Sequence, residues 1–314
     1  MEKTPVIIDC DPGIDDVMML LLALRHEKTD VKLITTSAGN QTQDKVIDNA
    51  LRFVSYIGED VEIARGSEKP FLRDLVIADH IHGESGIGGV ELPEPMLEES
   101  DRPAIEAMVS VLKEADEPVT IVATGPLTNV GALLLAHPEV KPKIKQISIM
   151  GGAVRGGNVT PKAEFNIYVD PEAAEVVMQS GIPIVKSGLD VTHKAYLTQK
   201  DLDLLKATGN ELSKTLHEML QHYMDAQDSS PFLEPHHADV LRLHDLCAIA
   251  YVIDPTLFEG EDLYVTVETA GYATAGATVV DHLRTMNKPA NVHVLHDVDR
   301  KRFVELFFSV LSNK

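Results

Sequence analysis

Two periodicities alternate along the first two thirds of the chain. Short runs of β-branched and aliphatic residues are followed by longer segments in which apolar positions recur every three or four residues. The first run, Val6-Ile7-Ile8, ends in Asp9 and Asp11, Pro12-Gly13 turns the chain, and an apolar segment runs from Val17 to Leu24. That reads as strand, tight turn, helix. Val31 to Ser37 predicts a second strand, and Thr42 to Ile57 a helix with Val46, Ala50, Phe53 and Ile57 on one stripe. The alternation continues with strands at Val61–Ile63, Val119–Ala123, Ile144–Met150 and Ile182–Lys186, separated by helices at Pro103–Ala115, Leu127–Ala136 and Pro171–Ser180. Beyond residue 190 the pattern turns helical, at Gln199–Gly209, Glu211–Gln227, Asp245–Ile253 and Val298–Leu311, with late strands at Leu263–Val267 and Val292–Leu295. Strand-helix alternation of this kind predicts an α/β fold: a single doubly wound, mostly parallel sheet with additional C-terminal helices. No linker, repeat or low-complexity tract interrupts it, so a single domain over residues 1–314 is expected. The long polar stretch Arg73 to Asp101 is a candidate flap.

Charge narrows the partners. Lys and Arg total 28 against 49 Asp and Glu, a formal net charge of −21. Such a surface repels phosphate backbones, which excludes nucleic acid and anionic membrane and leaves a neutral small molecule or a cation. The only cysteines, Cys10 and Cys247, stand far apart, so no disulfide framework is expected and a reducing compartment is. The apolar run after Asp16 is short and preceded by four acids, unlike a secretory leader, and no stretch is long enough to span a bilayer. A cytoplasmic location is expected.

The chemistry gathers at the predicted strand ends, where open α/β sheets bind ligands. Asp9, Asp11, Asp15 and Asp16 fall within eight residues. Capping and the positive end of a helix suit one or two of them. Four carboxylates converging on one corner repel unless a cation or proton joins them, and hard divalent cations take oxygen ligands. Gly39-Asn40, Thr124-Gly125-Pro126 and Met150-Gly151-Gly152 end three further strands, and their agreement says more than any glycine pair alone. The loop from Gly156 to Pro171 carries Asn158, Glu164 and Asn166, spaced to present several side chains to one polyhydroxylated ligand or, equally, to make Asn-Gly turns. His244-Asp245 opens a helical run, as a metal ligand beside a proton donor or as a cap. His82 sits between Ile81 and Gly83 in the flap, open between a functional and a loop role, whereas His236 and His237 read as surface residues. There is no dinucleotide fingerprint after the first strand, no P-loop and no Gly-x-Ser-x-Gly elbow. What remains suits activation of water rather than a covalent intermediate.

Taken together, Asp9-Cys10-Asp11-Pro12-Gly13-Ile14-Asp15-Asp16, Thr124-Gly125-Pro126-Leu127-Thr128-Asn129, Met150-Gly151-Gly152, Ala163-Glu164-Phe165-Asn166-Ile167 and His244-Asp245 resemble the inosine-uridine preferring nucleoside hydrolase family, over nearly the whole chain. The resemblance implies a bound Ca2+, a homo-oligomer (dimer or tetramer), and hydrolysis of the N-glycosidic bond of ribonucleosides to ribose and free base. It implies Asp11, Asp16, Asp245 and the Thr124 carbonyl as metal ligands, with Asp11 also the general base. Asp15, Asn40, Asn158, Glu164 and Asn166 would hold ribose hydroxyls, with Met150 and Phe165 lining the same pocket. His82 and His244 would lie near the base, His244 as candidate general acid, with Tyr223 and Gln227 bordering the base pocket and Asp9 supporting the metal from behind. Inversion by single displacement is expected, by analogy with inverting glycosidases, with a pyrimidine or mixed inosine/uridine preference. The chain departs from the family between Pro231 and His244, where the approach to His244 is longer than usual and lacks glycine. Two rivals stand beside this reading: a calcium-dependent nucleoside-binding protein without turnover, and a haloacid-dehalogenase-type phosphatase, which Pro12-Gly13 and Asp15-Asp16 fit poorly.

Overall fold

A computed structural model describes residues 3–228 and 240–311. Eight strands form one sheet in the order β3-β2-β1-β4-β5-β6-β12-β9. In chain order the first six are β1 (Thr4–Cys10), β2 (Thr29–Thr36), β3 (Ile63–Arg65), β4 (Val119–Ala123), β5 (Ile144–Met150) and β6 (Ile184–Ser187). A small ribbon follows from β7 (Tyr196–Thr198) and β8 (Val240–Arg242), then β9 (Phe258–Leu263), a second ribbon of β10 (Val265–Val267) and β11 (Thr278–Val280), and β12 (Val292–Val298). All pairings in the large sheet are parallel except β9 with β12. The predicted strand Leu263–Val267 is therefore two elements. Leu263 ends the edge strand against β12, and Val265 begins the ribbon with β11, its N–H held by Asn291 Oδ1 at 2.8 Å.

The central strands are buried over most of their length, and largely apolar, because both faces are covered, as parallel sheets require. Alternate residues of β1 point to opposite layers. Val6, Ile8 and Cys10 join one core with α1 (Ile14–Arg25), α2 (Gln43–Tyr56), α10 (Glu211–Asp228), α11 (Leu246–Ile253) and α12 (Arg300–Phe308). Ile7 joins the other, with α4 (Ala104–Glu114), α5 (Thr128–Ala136) and α7 (Pro171–Met178). Ile14 to Ala23 are all buried, since α1 packs on β2, α2, α10 and α11. A helix with no solvated face depends on packing rather than propensity, so Leu20→Ala would cost about 2–5 kcal/mol.

Short helices supply the remaining scaffold: α3 (Asp79–His82), α6 (Phe165–Val169), α8 (Leu189–Thr192) and α9 (Gln199–Ala207). The stretch Arg73 to Asp101 lies docked along α2. Asn49 donates to Ser85 O at 2.9 Å, Arg52 to Leu92 O at 3.2 Å, and Ser55 Oγ accepts from Met96 and Leu97. Cys10 and Cys247 are buried free thiols. Among the described residues no helix is long and apolar enough to cross a membrane. The strand order reverses at β1, whose neighbours β2 and β4 run on to opposite sides of the sheet. That switch point is where ligands bind in such sheets.

Candidate active site

The acidic corner is built at that switch point by the end of β1, the turn at Pro12-Gly13 and the start of α1. Gly13 is the N-cap of α1, and its N–H donates to Asp16 Oδ2 at 3.0 Å. Asp16 also accepts from Asn40 Nδ2 at 3.0 Å and, through Oδ1, from the Thr124 hydroxyl at 2.8 Å. The Asn40 backbone N–H donates to Asp11 Oδ2 at 2.6 Å. Asp245 arrives from far along the chain as the residue before α11, without capping it through its side chain. Carboxylate oxygens of Asp15, Asp16 and Asp245 lie within 4.8 Å of one another, and all three residues are buried. Asp11, fully buried beside them, stands outside that closest set.

Capping explains Asp16 in part and the others not at all. Asp11 Oδ1 and Asp15 Oδ1 are buried without a hydrogen-bond partner. Burial, then repulsion from Asp16, holds Asp11 well above the usual carboxylate range, and burial with Asp15 and Asp16 does the same to Asp245. Asp15 is pushed up to about 7 by burial and by Asp16. Such oxygens need protons or a cation. The donors are carboxylates, a hydroxyl and the Thr124 carbonyl, a set that suits a hard divalent ion. The Thr124 carbonyl accepts from Asn166 Nδ2 at 2.7 Å and keeps its second lone pair. The residues present therefore fit a metal ion.

Asp9 lies beneath this corner. Its Oδ1 accepts from Thr35 Oγ1 at 2.6 Å and Asn129 Nδ2 at 2.8 Å, while burial pushes its carboxyl up to about 7.

A cavity of about 180 Å³ opens from the corner. Asp15, Asn40, Thr124 and Asp245 are part of its lining, whereas Asp11 and Asp16 are not. Met150, Asn158, Glu164, Phe165 and Asn166 line a side wall. The wall is fixed by its own backbone: Glu164 caps α6, accepting from Asn166 N at 3.0 Å, Ile167 N at 3.3 Å and Gly152 N at 2.8 Å. Asn158 Oδ1 accepts from Phe165 N at 2.9 Å. Turn chemistry and a ligand-facing wall are thus the same residues.

His82, Tyr223, Gln227 and His244 complete the lining, from α3, α10 and the segment after β8. His82 Nδ1 accepts from Ile14 N–H at 3.2 Å, which leaves the ring proton on Nε2, and burial lowers its pKa to about 3. The Tyr223 hydroxyl donates to Asp15 Oδ2 at 3.1 Å, and its ring lies 5.2 Å from that of His82. Gln227 is spent on the backbone of Arg242, donating to its carbonyl at 3.1 Å and accepting from its N–H at 3.0 Å. His244 Nδ1 bonds the Thr192 hydroxyl at 2.8 Å, and burial, then His193, hold this imidazole well below its usual range.

His80, Ile81, Val159 and His193 also line the cavity, and sequence reasoning does not single them out. The rule that leads to the other strand ends leads to His193 too, six residues past β6. His236, His237 and most of the unusual approach to His244 lie outside the described residues.

Residues 6–305 match the family described as inosine-uridine preferring nucleoside hydrolase. The chain is 51% identical over 310 residues to the pyrimidine-specific ribonucleoside hydrolase RihA of Citrobacter koseri, covering 98% of each. It is 49% identical to the RihA of Escherichia coli over 310 residues, covering 96% of each. Among solved structures it is similar to a purine-preferring ribonucleoside hydrolase from Gardnerella vaginalis, with TM-score 0.91, 31% identity and 98% of each chain covered. A plant nucleoside hydrolase, PpNRh1, aligns with TM-score 0.90 and 33% identity over 99% of each chain. These matches leave the phosphatase reading without support. The chain belongs to the inosine-uridine preferring nucleoside hydrolase family and is a ribonucleoside hydrolase.

Proposed function

We propose that this ribonucleoside hydrolase acts on pyrimidine ribonucleosides, uridine and cytidine, with Ca2+ at the acidic corner and water as the nucleophile. The observation that carries the reading is that Asp15, with an unsatisfied buried carboxylate oxygen and Asp11 in the same state close by, shares one cavity with a wall of Asn and Glu side chains. Asp16 and Asp245, with Asp11 and the Thr124 carbonyl, would hold the ion. When bound, it would supply a Lewis acid that lowers the pKa of water and draws in sugar hydroxyls. The preference for calcium rests on the family resemblance, since oxygen donors alone do not choose between hard cations.

Cleavage develops positive charge on the ribosyl ring, which the buried carboxylates around the sugar stabilise. Asp11 takes a proton from the attacking water. Asp15, Asn40, Asn158, Glu164 and Asn166 orient the ribose hydroxyls against Met150 and Phe165, so loss of the 2′-hydroxyl weakens the fit. Across the cavity His82 presents a neutral Nε2–H, and His244, oriented by Thr192 and held neutral by burial, donates a hydrogen bond to the departing base. Attack and departure on opposite faces give inversion. The pyrimidine preference takes its support from the relatives at about half identity that carry that name. Self-association into a dimer or tetramer and a cytoplasmic location complete the reading.

The test is ribose release from uridine, cytidine, inosine, adenosine and deoxyuridine, with wild type and Asp11→Ala side by side. Release from uridine and cytidine ahead of inosine, with deoxyuridine poor and the variant inactive, is expected. Faster release from inosine would overturn the pyrimidine preference. Nucleoside binding without release from any of the five would leave the binding-protein reading in front.

A further inference from the structure

Behind the side wall lies a buried charge that the chemistry above does not use. Lys186, in β6, pairs with Ile149 of β5, and its side chain is completely buried. Its Nζ makes no hydrogen bond. It lies so close to Gly188 that a Cβ there would collide with the ammonium and with the Gly152 carbonyl. Gly188 has an ordinary φ of −84°, so this close approach, not backbone conformation, demands the glycine.

The charged groups that act on Lys186 are Asp190, from α8, and Glu164, from the sugar wall. Each carboxylate grips the loop that follows β5. Glu164 Oε2 accepts from Gly152 N at 2.8 Å, and Asp190 Oδ2 from Val154 N at 2.6 Å. The ammonium thus lies by Gly188 and the Gly152 carbonyl, on the loop that both carboxylates hold.

A buried ammonium without hydrogen bonds is costly, and an unbranched apolar side chain of similar length would fill the same space without that cost. Local choices that oppose stability concentrate where function requires them. We propose that Lys186 is a positioning residue for the sugar site: its positive charge, from behind the wall, keeps Glu164 ionised and able to accept hydrogen bonds from ribose. This rests on the placement of Glu164 at the sugar proposed above.

The direction of each influence agrees. Burial raises the Glu164 carboxyl, three backbone N–H groups lower it, and Lys186 lowers it further. Burial brings Lys186 itself down to about 8, against the pull of Asp190 and Glu164. The charge is therefore present at neutral pH and lost as pH rises past that value. Sugar affinity should weaken on the acid side, as Glu164 takes up its proton, and without the Lys186 charge that weakening should begin at a higher pH.

The test compares wild type and Lys186→Met. D-Ribose is used as a competitive inhibitor from pH 5 to 10, and 13C NMR follows the side-chain carboxyl of Glu164 and the ε-carbon of Lys186. In the variant the inhibition constant should rise on the acid side of the Glu164 titration, by up to about tenfold for one pKa unit of lost coupling. The Glu164 titration should move to higher pH, and thermal stability should equal or exceed that of the wild type. An unmoved Glu164 titration overturns the proposal. A Glu164 that moves while ribose affinity stays fixed supports the charge coupling and overturns the placement of Glu164 at the sugar. If the variant does not fold, the wild type still decides: a Glu164 signal with no response as Lys186 loses its proton overturns the coupling.

Discussion

Two sets of residues at the cavity are made in different ways. The acidic set comes from the strand ends β1 and β4 and the first turn of α1, at the point where the sheet order reverses. Asp245 is its one contribution from late in the chain. The second set comes from elements outside the sheet: α3, α10, α8 and the segment after β8. Topology places the first set, and the function proposed above puts the chemistry common to all substrates there. The second set hangs on α10, two short helices and a loop position, where exchange of a side chain leaves the sheet untouched, and the function proposed above puts base choice there.

The largest effect should separate the two sets most cleanly. Asp16→Ala removes the partner of Gly13 N–H, Asn40 and Thr124 and a candidate ligand in one step. We expect kcat/KM to fall by about 10³-fold, the range seen when a group essential to the reacting centre is lost. The fall should be the same for uridine and inosine. A loss that depends strongly on the base would break the division between the two sets.

Next in size is removal of the ion. A ligand that binds only the folded protein stabilises it by about 2.7 kcal/mol at a hundredfold excess over its Kd. Chelation should therefore lower the melting temperature and restored Ca2+ should raise it again, while Asp16→Ala should respond to neither. Equal melting curves for the wild type with and without chelator would remove the metal from the corner.

The acidic corner was legible in the sequence because its signals are local: Asp11, Asp15 and Asp16 share one turn, and Thr124 closes a strand whose bounds, Val119–Ala123, agree with its hydrophobic run. The strand Ile144–Met150 was equally clear. The second set was not, for physical reasons. Helices α3 and α8 have four residues each, too few for any period to show, so His80 carries no pattern of its own and His193 shows only by its place after β6. Gln227 shows the opposite hazard. It lines the pocket, yet both ends of its amide hold the β8 backbone, a pairing set by tertiary contact that no spacing encodes. The break between β9 and β10 is hidden likewise, because one apolar run serves two different neighbours.

His82 tests the second set through pH. In the unfolded chain a histidine titrates near 6.5, whereas burial lowers folded His82 to about 3. The folded state thus refuses a proton that the unfolded state takes. The stability this group contributes is fully present above pH 6.5 and is lost as pH falls toward 3, by about 1.4 kcal/mol per pH unit. His82→Asn keeps an acceptor for Ile14 N–H and removes the titration. Urea midpoints at pH 7 and pH 4.5 should therefore fall more for wild type than for the variant, by about 2–3 kcal/mol of stability. Equal losses would mean that His82 is hydrated in solution and open to protonation.

The smallest effect is the sharpest, because it acts on a bond joining the two sets. The Tyr223 hydroxyl reaches from α10 to Asp15 Oδ2, while its ring packs near His82. Tyr223→Phe keeps the ring and removes only the hydroxyl, leaving Asp15 Oδ2 short of a donor next to an Oδ1 that already lacks one. A hydrogen bond to a charged group contributes about 1.5–3 kcal/mol, less whatever solvent or ligand restores. With sugar bound, its hydroxyls can supply the missing donor, so about a fivefold fall in kcat/KM is expected. If the sets are independent, that factor is the same for uridine and inosine, and a double-mutant cycle with His82→Asn is additive. If Tyr223 instead passes the identity of the base to the carboxylate that holds the sugar, the factor differs between the two nucleosides and the cycle shows coupling. The bond would then set specificity, and the division by topology would hold for the fold but not for the chemistry.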